Sequence, residues 1–600
     1  MRKTTGFNSF SSNVKNLSKR VNAVIVILGV FASCTALTNT AAASGANTSI
    51  ETLSDKISIR FQGKDFFSPK IVFSRPPGDL PGQYLMNHVY PLCAGEKAFD
   101  CIVNVEVINE SGKSVSGKFL EYIPVSPKGN EGGGSYKGNN WKESEPPYYY
   151  PTTEEIIVKG NAKKKIPDGS RSSIWSFPGL LHSGGDKYLV SVQTNSAVTN
   201  YDAPSAENSI ADWRDSTTLL TITPIKVDND TSGLELTREI FEKMADGTYV
   251  KTSAVDVLSK FGYSSNGNKI CYLGFEKNKP NCYSQAEDSQ FPGFRITLRL
   301  KLTEEFLTLR HWFMARAAGV RVTSKKEPES SIVTFEGTTI MVPKTTALLP
   351  ATIEGYKIFR AATNKSYTDS GVTNKQLDLN DLSGFDFWQS FKSKSMSDID
   401  PGTIAFWSGI EPFATVLVEP RSPTWSFETA NIPGSDVGSL WPCVKTPHIS
   451  GVAASNASIM RPSPPTWNAE KQTLEFRIAS PHLNQDGSVA EGFYNLSVSQ
   501  EVANCLWGGD ASKSRAEVSI ISDAGEKKIF VASTGSSNGY MNFQVSGFTY
   551  SVNTISLKLL KTEAASPTKN PIAPKVIVCK KGKTIKKFKA VKCPAGYVKK

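Results

Sequence analysis

A chain of 600 residues is too long for one hydrophobic core, so about three to five domains are expected. Apolar residues make up 39% of it, beside many Gly, Pro, Ser and Thr, the composition of an ordinary globular protein built from short strands joined by turns. The net charge of +12 suggests nucleic acid, yet +5 of it lies in the first 43 residues and +10 in the last 26, leaving −3 between, so a specific nucleic-acid binder is not expected.

The N-terminus carries Arg2, Lys3, Lys15, Lys19 and Arg20, then an apolar run from Ala23 to Ala32, then Thr40-Ala41-Ala42-Ala43. A basic start, a short apolar stretch and an Ala-x-Ala site predict an export signal over 1–43, cleaved near Ala43, placing the protein outside the cell or on its surface. Phe31-Ala32-Ser33-Cys34 also resembles a bacterial lipobox, so acylation of Cys34 is the alternative, weaker because Phe replaces the usual Leu.

Setting Cys34 aside leaves eight cysteines, an even number that suits disulfides in an exported chain. Spacing proposes Cys93 with Cys101, Cys271 with Cys282, Cys443 with Cys505, and Cys579 with Cys593. None stands in a Cys-x-x-Cys pair, so zinc and redox motifs are not indicated.

Residues 44–225 read as an N-terminal β domain, with short alternating runs such as Cys101 to Val107, Lys187 to Val192 and Thr218 to Thr223. A polar insertion from Pro127 to Pro151 ends in Tyr148, Tyr149 and Tyr150. Aromatic faces there would suit a glycan or peptide ligand, although a loop folded back on the domain is the plainer reading.

Residues 226–350 read as a β domain with a short helical segment near 236–246, where Leu236, Ile240 and Met244 share one stripe. Before it, Asp228, Asp230, Ser232 and Gly233, with Glu239 further on, match the ligand spacing of an EF-hand-type calcium loop. Glu235 stands where such loops carry an aliphatic residue, the preceding segment reads as a strand, and no second copy exists. A capped helix start is therefore preferred, and no cofactor other than calcium is suggested.

Residues 351–440 read as a β-rich middle region, with a short helix beginning near Ser383. Residues 441–561 read as a C-terminal β-sandwich. Leu474, Phe476 and Ile478 alternate with polar residues, as do Tyr494, Leu496 and Val498, then Met541, Phe543 and Val545, then Ile555, Leu557 and Leu559, with Asp486-Gly487 and Asn538-Gly539 as turns. The chain as a whole reads as mainly β, with several antiparallel, immunoglobulin-like sandwiches in tandem.

Within that last domain, Pro464-Pro465-x-Trp467, Ala479-Ser-Pro-His482, Gly492-Phe-Tyr-Asn-Leu496, Val502-Ala-x-Cys505-Leu-Trp507 and Gly547-Phe548-Thr549 resemble the C-terminal region of secreted actinobacterial surface proteins of unknown function. The resemblance covers about a fifth of the chain. It implies an exported surface protein and supplies no catalytic residues.

A Pro-rich linker, 562–574, leads to a basic tail, 575–600. Its cysteines, Cys579 and Cys593, and its lysines, among them Lys580, Lys581, Lys583, Lys586, Lys587, Lys589, Lys592, Lys599 and Lys600, resemble a recurring tail of exported aquatic actinobacterial proteins. A disulfide-closed hairpin bristling with lysine would bind anionic envelope polymers or lipid headgroups.

No motif for nucleophilic hydrolysis, zinc proteolysis, phosphate binding or dinucleotide binding occurs. The five histidines are scattered. His182, beside Gly184 and Gly185, is the most suggestive, though a turn explains it more simply. The expected function is structural or binding, at the cell envelope and without catalysis; an extracellular carbohydrate-active enzyme is the alternative, since its paired carboxylates would come from separate strands.

Overall fold

Alternation sets the strands. In Gly293–Leu300, Phe294, Ile296, Leu298 and Leu300 are buried while Arg295, Thr297 and Arg299 are half-buried on the other face. In the computed structural model the described residues run from 56 to 599, leaving out 1–55, 63–72, 76–82, 124–167, 200–210, 229–238, 255–262, 302–311, 370–375, 431–440, 561–575 and gaps of five residues or fewer.

Gly293–Leu300 is the middle strand of a five-stranded antiparallel sheet, in the order Ala318–Lys326, Ser331–Thr338, Gly293–Leu300, Cys101–Ile108 and Ser114–Ser116. Its apolar face packs on a larger sheet. There Val190 and Val192 of Lys187–Thr199, Leu220 and Ile222 of Ala211–Asp228, and Phe427 of Ser426–Thr429 complete a first core. This first sandwich is therefore assembled from segments far apart in the chain.

The larger sheet continues through Gly451–Ser455 into Glu491–Ser499, Tyr540–Thr549 and Ser533–Ser537. Over these lies a second covering sheet, built around Thr473–Ala479, Val552–Leu560, Arg515–Ser522 and Lys527–Val531. Leu474, Phe476, Ile478, Tyr494, Leu496, Val498, Met541, Phe543, Val545, Ile555, Leu557 and Leu559 all meet in that second core. The chain is thus mainly β, with antiparallel sandwiches in succession.

One strand belongs to both cores. Trp312–Arg316 pairs antiparallel with Ser426–Thr429 and parallel with Gly451–Ser455. Trp312 and Met314 enter the second core, while Phe313 and Ala315 enter the first. A strand covered on both faces needs apolar residues at every position, which explains the unbroken run Trp312-Phe-Met-Ala315. Next to it, Gly451 admits no side chain, because a Cβ there would stand 2.5 Å from the Trp312 ring and 2.7 Å from the Ser497 carbonyl. At the end of the shared strand Arg316, buried, donates to the carbonyls of Ser455 at 3.4 Å, of Ser458 at 3.2 Å and of Ala457.

A smaller layer joins strands Ser393–Ser397, Lys56–Gln62, Lys344–Pro350 and Thr415–Glu419 with helices Ile353–Asp369, Phe385–Ser390 and Thr403–Ile410. Tyr356, Trp388, Phe406 and Trp407 pack on Ile57, Ile59, Ala347 and Leu349, and Ile459, Ala479 and Val552 extend this core to the second sandwich. Among the described residues of 351–440, expected to be β-rich, these three helices stand beside the strands Ser393–Ser397, Thr415–Glu419 and Ser426–Thr429, and the short helix expected near Ser383 is Phe385–Ser390.

The helix expected over 236–246 is corrected: Glu239–Lys243 is a strand paired with Tyr249–Ala254. The stripe of Leu236, Ile240 and Met244 competes with Ile240-Phe241, Tyr249-Val250 and an intervening Asp246-Gly247, and residues that favour a hairpin prevail.

Candidate functional site

The tail is a three-stranded sheet in which Val576–Lys581 lies between Thr584–Lys589 and Val598–Lys599. Lys581 pairs with Thr584, leaving a two-residue turn, and Gly582 takes its first corner at φ 61°, the glycine position of a type II′ turn. Cys579, fully buried, is bonded to Cys593, which ties the return segment to the central strand. Lys580, Lys581, Lys583, Lys586, Lys587 and Lys599 are exposed, and Lys581 Nζ lies 5.9 Å above the Tyr597 ring. Lys589 ends its strand with its side chain outside the described ones, as are Lys592 and Lys600. Residues 575–600 contain no acid, so nothing within the tail neutralises these cations.

Two more of the expected disulfides are formed, Cys93 with Cys101 and Cys443 with Cys505. Cys271 and Cys282 lie on the paired strands Lys269–Glu276 and Lys279–Gln285, where Cys282 stands in register with Leu273; their side chains are outside the described ones. Cys505 stands on the helix Gln500–Trp507, which opens where the Ser499 side chain accepts from the Val502 amide at 3.3 Å and closes at Gly508. Within Val502 to Trp507 the sequence reading named no helix, although Ser499, Glu501 and Gly508 are ordinary signals for its ends.

Of the calcium candidates, Asp228 ends the strand Ala211–Asp228 and Glu239 opens a strand, whereas an EF-hand loop leads into a helix; Asp230 and Ser232 lie outside the described residues. Among the described residues no group of three or more His, Cys, Asp or Glu is placed to hold a metal ion. Tyr148, Tyr149 and Tyr150 also lie outside the described residues.

His182 sits in a turn. The Gly184 amide donates to its Nδ1 at 3.0 Å, so the ring proton is on Nε2, which reaches the Lys187 carbonyl at 2.8 Å. Both ring nitrogens are engaged in holding the turn, and Tyr188 packs edge-on at 4.9 Å. His482 likewise bonds the Tyr550 carbonyl through Nδ1 at 2.9 Å.

An open groove of about 350 Å³ is lined by Ser324, Lys326, His448, Ser499, Glu501 and Asn538, among others. His448 Nδ1 and the Glu501 carboxylate stand 3.9 Å apart, an ion-pair distance too long for the hydrogen bond that orients a catalytic base. On the outer face of the five-stranded sheet, Arg295 bridges Glu106 at 3.3 Å and Glu336 at 2.6 Å. Those two carboxylates are bridged by the arginine between them, and Glu336 also meets Arg321 at 3.9 Å, unlike an acid and a nucleophile facing a sugar.

Among the described residues no helix is long and apolar enough to cross a membrane. No family model, curated protein or solved structure matches the chain.

Proposed function

We propose that this is an exported, non-catalytic protein with a structural or binding role at the cell envelope, held there by its C-terminal tail. The observation that carries the reading is the exposed array of Lys580, Lys581, Lys583, Lys586, Lys587 and Lys599 on a disulfide-closed sheet without acidic residues. Each lysine near an anionic surface is worth about 1 kcal/mol at physiological salt, so a handful suffices for reversible attachment. The resemblance of 441–561 to secreted actinobacterial surface proteins points the same way, and so do disulfides, which persist in oxidising surroundings.

Salt separates this reading from its rivals, because charge-held proteins wash off as the Debye length shrinks. The full-length protein is expected to leave intact cells in a high-salt wash, while a chain truncated after Pro574 is found free in the medium. If both remain bound through the wash, retention lies elsewhere, with a lipid on Cys34 as the first suspect, and the tail is not the anchor.

A further inference from the structure

The register of the tail places its aliphatic residues as well as its charges. Lys580, on the central strand, faces Ile585 on one side and Val598 on the other. Residues directly opposite in antiparallel pairs project to the same face, so Ile585, Lys580 and Val598 form one row across all three strands. Ile585 is 48% exposed and Val598 68% exposed. The next row on that face pairs Val578 with Lys587. A single exposed aliphatic residue needs no explanation, but two flanking a lysine on the sheet of a 26-residue tail with no acid leave this face both sticky and cationic.

A soluble anionic polymer offers charge to such a face and nothing for the aliphatic side chains. An anionic bilayer offers both, since lysine stems lie along the headgroups while short apolar groups enter the acyl boundary. The turn at Gly582 and Lys583 lies one pair beyond this row, so the exposed Lys583 adds its charge at that end of the hairpin.

Resting on the reading of the tail as an envelope anchor, we infer that the face bearing Ile585, Lys580 and Val598 docks on an anionic lipid bilayer and inserts its two aliphatic side chains at the interface. The opposite face, with Cys579 bonded to Cys593, supplies the rigidity that holds the three strands in register.

The test uses the full-length protein with vesicles of phosphatidylglycerol and phosphatidylcholine, pure phosphatidylcholine vesicles, and inorganic polyphosphate as a soluble polyanion. Wild type is expected to bind the anionic vesicles and to keep a measurable bound fraction at 1 M salt, where the Debye length falls to about 3 Å. The double variant Ile585→Ser and Val598→Ser is expected to bind those vesicles about tenfold more weakly, to wash off fully in salt, and to bind polyphosphate as wild type does. Mapping the intact Cys579–Cys593 bond in the variant checks that the sheet still closes. Equal vesicle binding by variant and wild type, or equal weakening on vesicles and polyphosphate, overturns the insertion and leaves a polyanion site. If the chain truncated after Pro574 binds the vesicles like wild type, the anchor reading itself fails, a result distinct from failure of the aliphatic row alone.

Discussion

Three tyrosines show how burial turns a side chain into a pH-dependent element. Tyr494, Tyr540 and Tyr550 are all buried, and burial raises each phenol well above its usual range, against the opposing pull of the Ser455 hydrogen bond and the Arg316 charge at Tyr550. Tyr540 donates to the Ile449 carbonyl at 2.7 Å, and Tyr550 donates to Asn456. A phenol harder to ionise in the folded chain than in the unfolded one leaves stability intact below about pH 10, then removes about 1.4 kcal/mol per pH unit for each tyrosine as the unfolded chain alone gives up its protons. Urea midpoints are therefore expected to stay level up to about pH 10 and then fall steeply, with Tyr540→Phe showing a shallower alkaline slope. An unchanged slope in that variant would mean the loss at high pH comes from other groups. Of these tyrosines only Tyr494 stands where alternation marks the core; the hydroxyl partners of Tyr540 and Tyr550, across as many as 95 residues of sequence, are set by packing that no local pattern encodes.

The elements that could be read from the sequence are those whose signals are local. The strands around Leu474, Tyr494, Met541 and Ile555 carry apolar residues at every second position through their middles, with glycine turns at Gly487 and Gly539 between them, so pattern and turn chemistry agree. The helix Ile353–Asp369 escaped because it buries only Gly355, Tyr356, Arg360 and Ala362, an irregular set with an arginine in it. Arg360 is accommodated by the Tyr356 hydroxyl at 2.8 Å and by Asp381 at 3.4 Å, partners visible only in three dimensions. In the tail, the lysines and the cysteine pair were legible from composition, whereas the row of Ile585 and Val598 depends on the return of Val598–Lys599 beside the central strand. The bond from Cys443 to Cys505 closes a separation of 62 residues and ties the turn Trp441–Cys443 to the helix Gln500–Trp507, beside the edge-to-face pair of Trp467 and Trp507 at 5.3 Å. Replacing both cysteines by serine is expected to lower the unfolding free energy by about 4 kcal/mol, in the chain-entropy account of a loop that long. Denaturant unfolding of the double variant measures it, and a loss below about 1 kcal/mol would show that the unfolded chain is already compact there.

At the scale of the whole molecule the shared strand decides how the sandwiches behave. Trp312–Arg316 gives one face to each core and its far neighbour Gly451–Ser455 does the same, with Val452 and Ala454 in the first core and Ala453 in the second. Neither sandwich can lose that strand without exposing apolar surface of the other. Calorimetry is expected to show the two cores melting in one transition, and a fragment starting at Trp441 is expected to aggregate or to pair with itself along the open edge of Gly451–Ser455. A soluble, monomeric fragment with the full chain's melting temperature would contradict this. Sequence reading identified the sandwich class and the C-terminal strands, yet not the sharing, because the partner of Trp312–Arg316 lies 139 residues on, at Ser455 and its neighbours, and alternation says nothing about which strand will be adjacent.

That arrangement also orders events in time. The first core needs Val452 and Ala454, the second lies almost wholly beyond them, and the helical layer needs Ile459, Ala479 and Val552. A chain emerging from its N-terminus therefore has no core it can close until about three quarters of it has been made, and its long-range pairings make closure slow. For most of its synthesis the polypeptide stays threadable, the condition a protein must meet if it is to be passed strand-first through a narrow pore.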